Sequence, residues 1–165
     1  MKSRLTILAW LNVVLHVIGL LFAAFGMRPG TAAVPRHEQF RYLADAPEAW
    51  VLGWATWILC AVSLIVFLAV AVNRLSPPAP MARLGLTFAV VGIAFDLFCD
   101  VTYIVAFPWL AGKHDEDVFA IVERLTGIAS QVIANGAYTV AILLIAGEMK
   151  RSGRAKWGTS LVAFL

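Results

Sequence analysis

The sequence predicts an all-α, polytopic integral membrane helix bundle with four transmembrane helices and the start of a fifth, and three observations carry that prediction. Sixty-one per cent of the 165 residues are hydrophobic and only 14 per cent are charged, where a soluble domain carries about 25 per cent charge. Four apolar segments, 5–27, 50–72, 84–110 and 118–147, each reach the roughly 20 helical residues that cross about 30 Å of hydrocarbon. Basic residues gather at the ends of these segments rather than on one face, so the net charge of +3 reads as an orientation signal and not as a nucleic-acid footprint. The whole of 1–165 forms one membrane domain with the lipid bilayer as its first partner.

Segment 5–27 reads as a retained helix, because its apolar stretch is too long for a secretory signal and no small-residue cleavage site follows it. The external loop 28–49 mixes Arg36, His37, Glu38 and Arg41 with Phe40, Tyr42 and Leu43, a pattern for one or two turns lying in the headgroup region. It reads as a cover over the bundle, with a substrate lid or a docking surface as the functional alternative. Asp45, Pro47 and Glu48 supply a cap, a helix-starting proline and a first-turn acid for segment 50–72.

Within that second segment only Cys60 and Ser63 are polar near the middle. The connector 73–83 holds Ser76, Pro77, Pro78 and Pro80, which make it stiff and non-helical. After the third segment, the short external loop 111–117 carries Asp115, Glu116 and Asp117, and after the fourth comes a basic loop, 148–156. The last apolar run, 157–165, is too short to span at about 1.5 Å per residue. It either begins a fifth helix or lies at the interface.

Lys2, Arg4, Arg74, Arg83, Lys150, Arg151, Arg154 and Lys156 fall on one side, against Arg28, Arg36, Arg41 and Lys113 on the other, which puts the N-terminus in the cytoplasm. Trp50, Trp54, Trp57 and Trp109 fall towards the external side and Trp10 and Trp157 towards the inner one, the pattern of an aromatic belt. Arg outnumbers Lys and Asn is scarce, a bias that suits a GC-rich bacterial genome and hence a bacterial plasma membrane.

Against this apolar background Asp96 and Asp100 stand out, four residues apart in the middle of segment 84–110. Each carboxylate costs about 2.5 to 3.5 kcal/mol at the centre of an inserting helix, so the pair withdraws roughly 5 to 7 kcal/mol from insertion. Other polar residues fall on matching faces: Asn12, His16 and Gly19 in the first segment, Gly85, Gly92, Cys99 and Tyr103 beside the acids, and Arg124, Gly127, Gln131, Asn135 and Tyr138 in the fourth. Polar groups in lipid must find partners inside the protein. The first, third and fourth helices are therefore expected to share a polar centre, with the second closing the side. The binding site for an ion or substrate is assigned to Asp96, Asp100, His16, Asn135, Gln131, Tyr103 and Asn12.

Two carboxylates about 6 Å apart at an effective dielectric near 20 repel by roughly 2.8 kcal/mol, so the expected states are a shared proton, a contact with imidazolium at His16, or a bound cation. Arg124 is expected to pair with Glu123 beside it or with the acidic loop. The structural alternative for the acids is interhelical hydrogen bonding through Asn135, Gln131 or Tyr103. His16 with Asn12 is more often an interhelical hydrogen-bonding pair than a proton relay or ligand. Cys60 and Cys99 read as buried hydrophobes, and Gly92, Gly127 and Gly136 as sites of close helix packing.

Enzyme motifs are absent: no GxSxG, HExxH, P-loop or GxGxxG occurs. Only His16 of the three histidines falls within a span, which argues against a bis-histidine haem and leaves at most a single axial ligand; no cofactor is strongly implied, and the metal is unknown. The two acids have the spacing of magnesium-holding carboxylates in some membrane prenyl or phosphatidyl transferases, but the further acids and shallow depth of those motifs are lacking. Two readings lead: a small protein that binds or transports a proton, cation or cationic small molecule, and a non-catalytic accessory subunit contacting other membrane subunits or its own copies. A membrane-embedded enzyme is the third. No internal repeat supports a transporter of inverted-repeat type.

Overall fold

The computed structural model describes residues 2–73 and 79–153. Among them there is no strand, and four helices are long and apolar enough to cross a membrane: Arg4–Gly26, Glu48–Val72, Pro80–Lys113 and Glu116–Arg151. Ser76, Pro77 and Pro78 of the connector and the apolar run 157–165 lie outside the described residues.

Helix α1, Lys2–Leu21, runs into a π-helical turn, Phe22–Gly26, and a short 3-10 turn, Arg28–Gly30. The loop expected after it is more ordered than one or two turns, for Arg36–Asp45 forms the ten-residue helix α2. Asp45 therefore ends α2 and does not cap the next helix; Pro47 stands at that cap position without a side-chain hydrogen bond, and Glu48 opens α3, Glu48–Val72. Helix α4, Pro80–Lys113, starts on a proline, whose missing N–H costs nothing in a first turn. It ends at His114, whose φ is positive, at 55°. Asp115 then caps α5, Glu116–Ile128, by accepting from the Val118 N–H at 3.2 Å. A π-helical segment, Ala129–Ala134, joins α5 to α6, Asn135–Arg151, as one continuous helix.

Helix α4 is the hub. It packs against α3 on one side and against α5, the π segment and α6 on another, while α2 lies across its end. The main contacts of α1 are with α3, so the second long helix lies between the first and the third instead of closing a side. One apolar cluster, centred on Leu43, Trp50, Phe107 and Phe119, fills the end under α2. A second, built from Leu68, Val72, Ala82, Ala89, Ala141 and Ile145, fills the opposite end. Asp96 and Asp100 come between Ala89 and Tyr103 along α4, at the junction of the two.

Glycine sets the closeness of α4 to the last helix. A Cβ at Gly85 would stand 2.9 Å from the Ala141 carbonyl oxygen, and one at Gly92 would stand 2.9 Å from the Tyr138 ring. Gly127 and Gly136, expected to pack in the same way, have nothing within 4 Å of that position. The aromatic belt is also smaller than expected. Trp10 and Trp109 are exposed, but Trp50 is buried and Trp54 and Trp57 turn inward, because their rings pack on one another, on Tyr103 and on His16.

Candidate functional site

A cavity of about 570 Å³ opens among the four long helices. His16 and Ala23 line it from the first helix, Trp54, Trp57 and Cys60 from α3, Asp96 and Asp100 from α4, and Ser130, Gln131, Asn135, Tyr138 and Thr139 from the last helix. The cavity is partly open, and α1 makes few direct contacts with the last helix.

The two acids differ in their surroundings. Both oxygens of Asp96 are held: the Ser130 hydroxyl donates to Oδ1 at 3.1 Å and the Tyr138 hydroxyl to Oδ2 at 3.3 Å. Asp100 is 1 % exposed, and its Oδ2 is buried with no hydrogen-bond partner among the described residues. The Trp54 Nε1 donor on the same cavity is likewise buried without a partner. Buried polar atoms are nearly always satisfied in folded proteins, by protein, water or ligand, so an orphan acceptor and an orphan donor beside one cavity single it out as the candidate site.

The π segment explains how Asp96 is held. Two α-helical turns take 7.2 residues, and a π turn absorbs one residue more. Ser130 and Tyr138, eight residues apart across the π segment, thereby come onto one face. The Tyr138 side chain leans back towards the start of its helix, as helical side chains do, and its ring fits the slot left by Gly92. Ser130 was not legible as a site residue, because serine is ordinary in apolar helices and a regular 3.6-residue phase points to Gln131 and Asn135 instead.

Of the other residues assigned to the site, His16, Gln131 and Asn135 line the cavity. His16 Nδ1 lies 2.8 Å from the Asn12 carbonyl oxygen; a carbonyl only accepts, so Nδ1 carries the proton and a neutral ring keeps Nε2 as an acceptor. Its ring stands edge-on to Trp57. Gln131 and Asn135 are exposed and form the rim. Asn12 and Tyr103 do not line the cavity. The Asn12 amide donates to Ser63 Oγ at 2.8 Å and ties α1 to α3. Tyr103 stacks on Trp54 with ring centroids 4.0 Å apart, within the apolar cluster under α2.

That end of the bundle is closed by a polar clamp. Arg36 donates to Glu123 at 3.0 Å and to Gln39 at 2.6 Å, and Gln39, fully buried, donates in turn to Glu123 and to the Gly30 carbonyl. Arg36 thus takes the partner expected for Arg124, which is exposed on the far face of α5. Tyr42 donates to the Gly26 carbonyl at 2.7 Å, and burial pushes its phenol above the usual range. The thiols are free and buried, and Cys99 donates to the Thr126 carbonyl at 3.5 Å.

No group of three or more His, Cys, Asp or Glu able to hold a metal ion occurs among the described residues. No protein-family model, curated protein or solved structure matches this chain. The class defined by fold and site is therefore that of an all-helical protein with four membrane-length apolar helices around a cavity that holds two acids.

Proposed function

We propose that this is a small multi-pass membrane protein, N-terminus cytoplasmic in a bacterial plasma membrane, that binds or moves a proton, a cation or a cationic small molecule through an acidic site at mid-depth. The observation that carries the reading is the unpartnered, buried Oδ2 of Asp100 on a cavity lined by all four long helices. An ionisable group placed there costs insertion energy, and such groups in apolar helices mark ion, proton or substrate paths. Asp96, already held by Ser130 and Tyr138, shapes the wall, and Asp100 receives the ligand. His16 Nε2 and the amides of Gln131 and Asn135 complete the polar lining.

The accessory-subunit reading draws on the exposure of Gln131 and Asn135, since amides on an outward face bond readily to a helix of a partner. Infrared difference spectroscopy on the full chain in nanodiscs separates the two. A carboxyl band that shifts on adding protons or cations and disappears in Asp100→Asn supports the binding site. A band unmoved by either, together with a copurifying membrane subunit lost on Asn135→Leu, supports the accessory role.

A further inference from the structure

We infer that the occupant of this cavity is a bilayer-partitioning organic amine, with its ammonium at Asp100 and its apolar body against Trp54 and Trp57; the inference rests on the cation-accepting role proposed above and names its substrate class. The first argument is size. A cavity of about 570 Å³ lies within the range of about 300 to 1,000 Å³ that holds small organic ligands, and it is far larger than a bare ion needs.

The second argument is the donor set. A hard cation such as calcium gathers about six to eight oxygen ligands, yet Asp96 and Asp100 are the carboxylates that line the cavity, and each Asp96 oxygen already accepts from a hydroxyl. That leaves Asp100 as the acid for a single positive head. A primary or secondary ammonium needs one carboxylate and a few acceptors, and its carbon body then packs against aromatic walls. Trp54 and Trp57 supply those walls, and the unpartnered Trp54 Nε1–H offers a bond to any acceptor on the body.

The third argument is access. The cavity is partly open, its lining residues Gln131, Asn135 and Thr139 are exposed, and α1 makes few contacts with the last helix that carries them. An amine that partitions into the bilayer reaches such an opening sideways, apolar body first, without crossing the apolar cluster at either end.

The test is isothermal titration of the full chain in phospholipid nanodiscs, with empty nanodiscs subtracted, using 2-phenylethylamine, its neutral counterpart 2-phenylethanol, and sodium, potassium and magnesium chlorides. The expected result is saturable binding of 2-phenylethylamine, weaker by tenfold or more for 2-phenylethanol and for the amine with Asp100→Asn. Thr139→Trp, which adds bulk at an exposed rim position and leaves the core intact, should abolish amine binding. Equal affinity for amine and alcohol overturns the assignment in favour of a neutral amphiphile. Asp100-dependent binding of a metal ion with no amine binding overturns it while leaving the cation-accepting site in place. If no cation binds and Asp100→Asn behaves as wild type, both readings fail together.

Discussion

Asp96 and Asp100 stand one turn apart on α4 and line the same cavity, but two hydroxyls of the last helix donate to the oxygens of Asp96 while Oδ2 of Asp100 meets no partner among the described residues. Equal chemistry in unequal surroundings separates their roles. Asp96 fastens α4 to the π segment and α6, and Asp100 borders the cavity without such a fastening. Asp96→Asn is therefore expected to lower stability by about 1 to 3 kcal/mol, since an amide cannot accept at both positions and one hydroxyl loses its carboxylate. Asp100→Asn should leave the melting temperature close to wild type and reduce cation affinity at least tenfold. Paired thermal melts and titrations in nanodiscs check this, and the reverse assignment of losses would exchange the two roles.

Glycine substitutions along the helix pair should divide sharply. Gly92→Ala drives a methyl to within 2.9 Å of the Tyr138 ring and 3.1 Å of the Ala134 carbonyl oxygen, an overpacking that costs about 1 to 3 kcal/mol. It should also displace the Tyr138 hydroxyl from Asp96, so that Tyr138→Phe adds less in the Gly92→Ala background than alone. Gly127→Ala and Gly136→Ala meet open space and should be neutral or stabilising by up to about 1 kcal/mol through helix propensity. A double-mutant cycle read by thermal unfolding measures the coupling.

The helices and the acidic pair were legible because length, apolarity and the cost of burying charge each leave a plain mark on the chain. Four long apolar runs can be only so many things, and Asp96 and Asp100 interrupt one of them at its middle. Boundaries came within a few residues, with α3, α4 and the last helix each extending past the hydrophobic run into polar turns. Which helices touch was less legible, since Asn12 has the same spacing to His16 whether it faces α4 or Ser63 of α3. The π segment was invisible for a deeper reason: it changes the phase of a helix without changing its hydropathy, and so brought Ser130 to Asp96 in place of the residues a regular helix would present. Likewise, α2 reads as only one or two turns from its mixed charges, because its order comes from Gln39, Arg36 and Glu123 meeting across the fold.

That clamp makes its own prediction. Gln39 is fully buried and its amide nitrogen donates to both Gly30 and Glu123, so Gln39→Leu leaves two acceptors without a donor, at a cost of about 1 to 3 kcal/mol. Amide exchange across Arg36–Asp45 should accelerate, with little change in α4 around the acids. The Arg36 to Glu123 ion pair is part-exposed, so Arg36→Gln should cost less, about 1 kcal/mol or below. Equal exchange rates in wild type and Gln39→Leu would mean that the apolar contacts of Phe40 and Leu43 alone hold α2.

The attachment of α1 to the cavity wall can be measured directly. Little of α1 is buried, its main contacts are with α3, and a hydrogen bond between them runs from Asn12 to Ser63 at 2.8 Å. Bonds of this kind between apolar helices in membranes contribute about 0.6 kcal/mol on average and at most about 1.7, so Asn12→Leu should lower global stability only slightly. Its larger effect should be on geometry. His16 sits one turn further along the same helix, edge-on to Trp57, and Gly19 rests 3.2 Å from the Trp57 ring measured at its Cβ position. Loosening α1 should therefore let His16 leave the cavity. Spin labels at Val13 and Val132, both exposed, on α1 and the last helix, report the separation: Asn12→Leu should broaden the distance distribution, whereas Ser130→Ala, which acts on Asp96, should not.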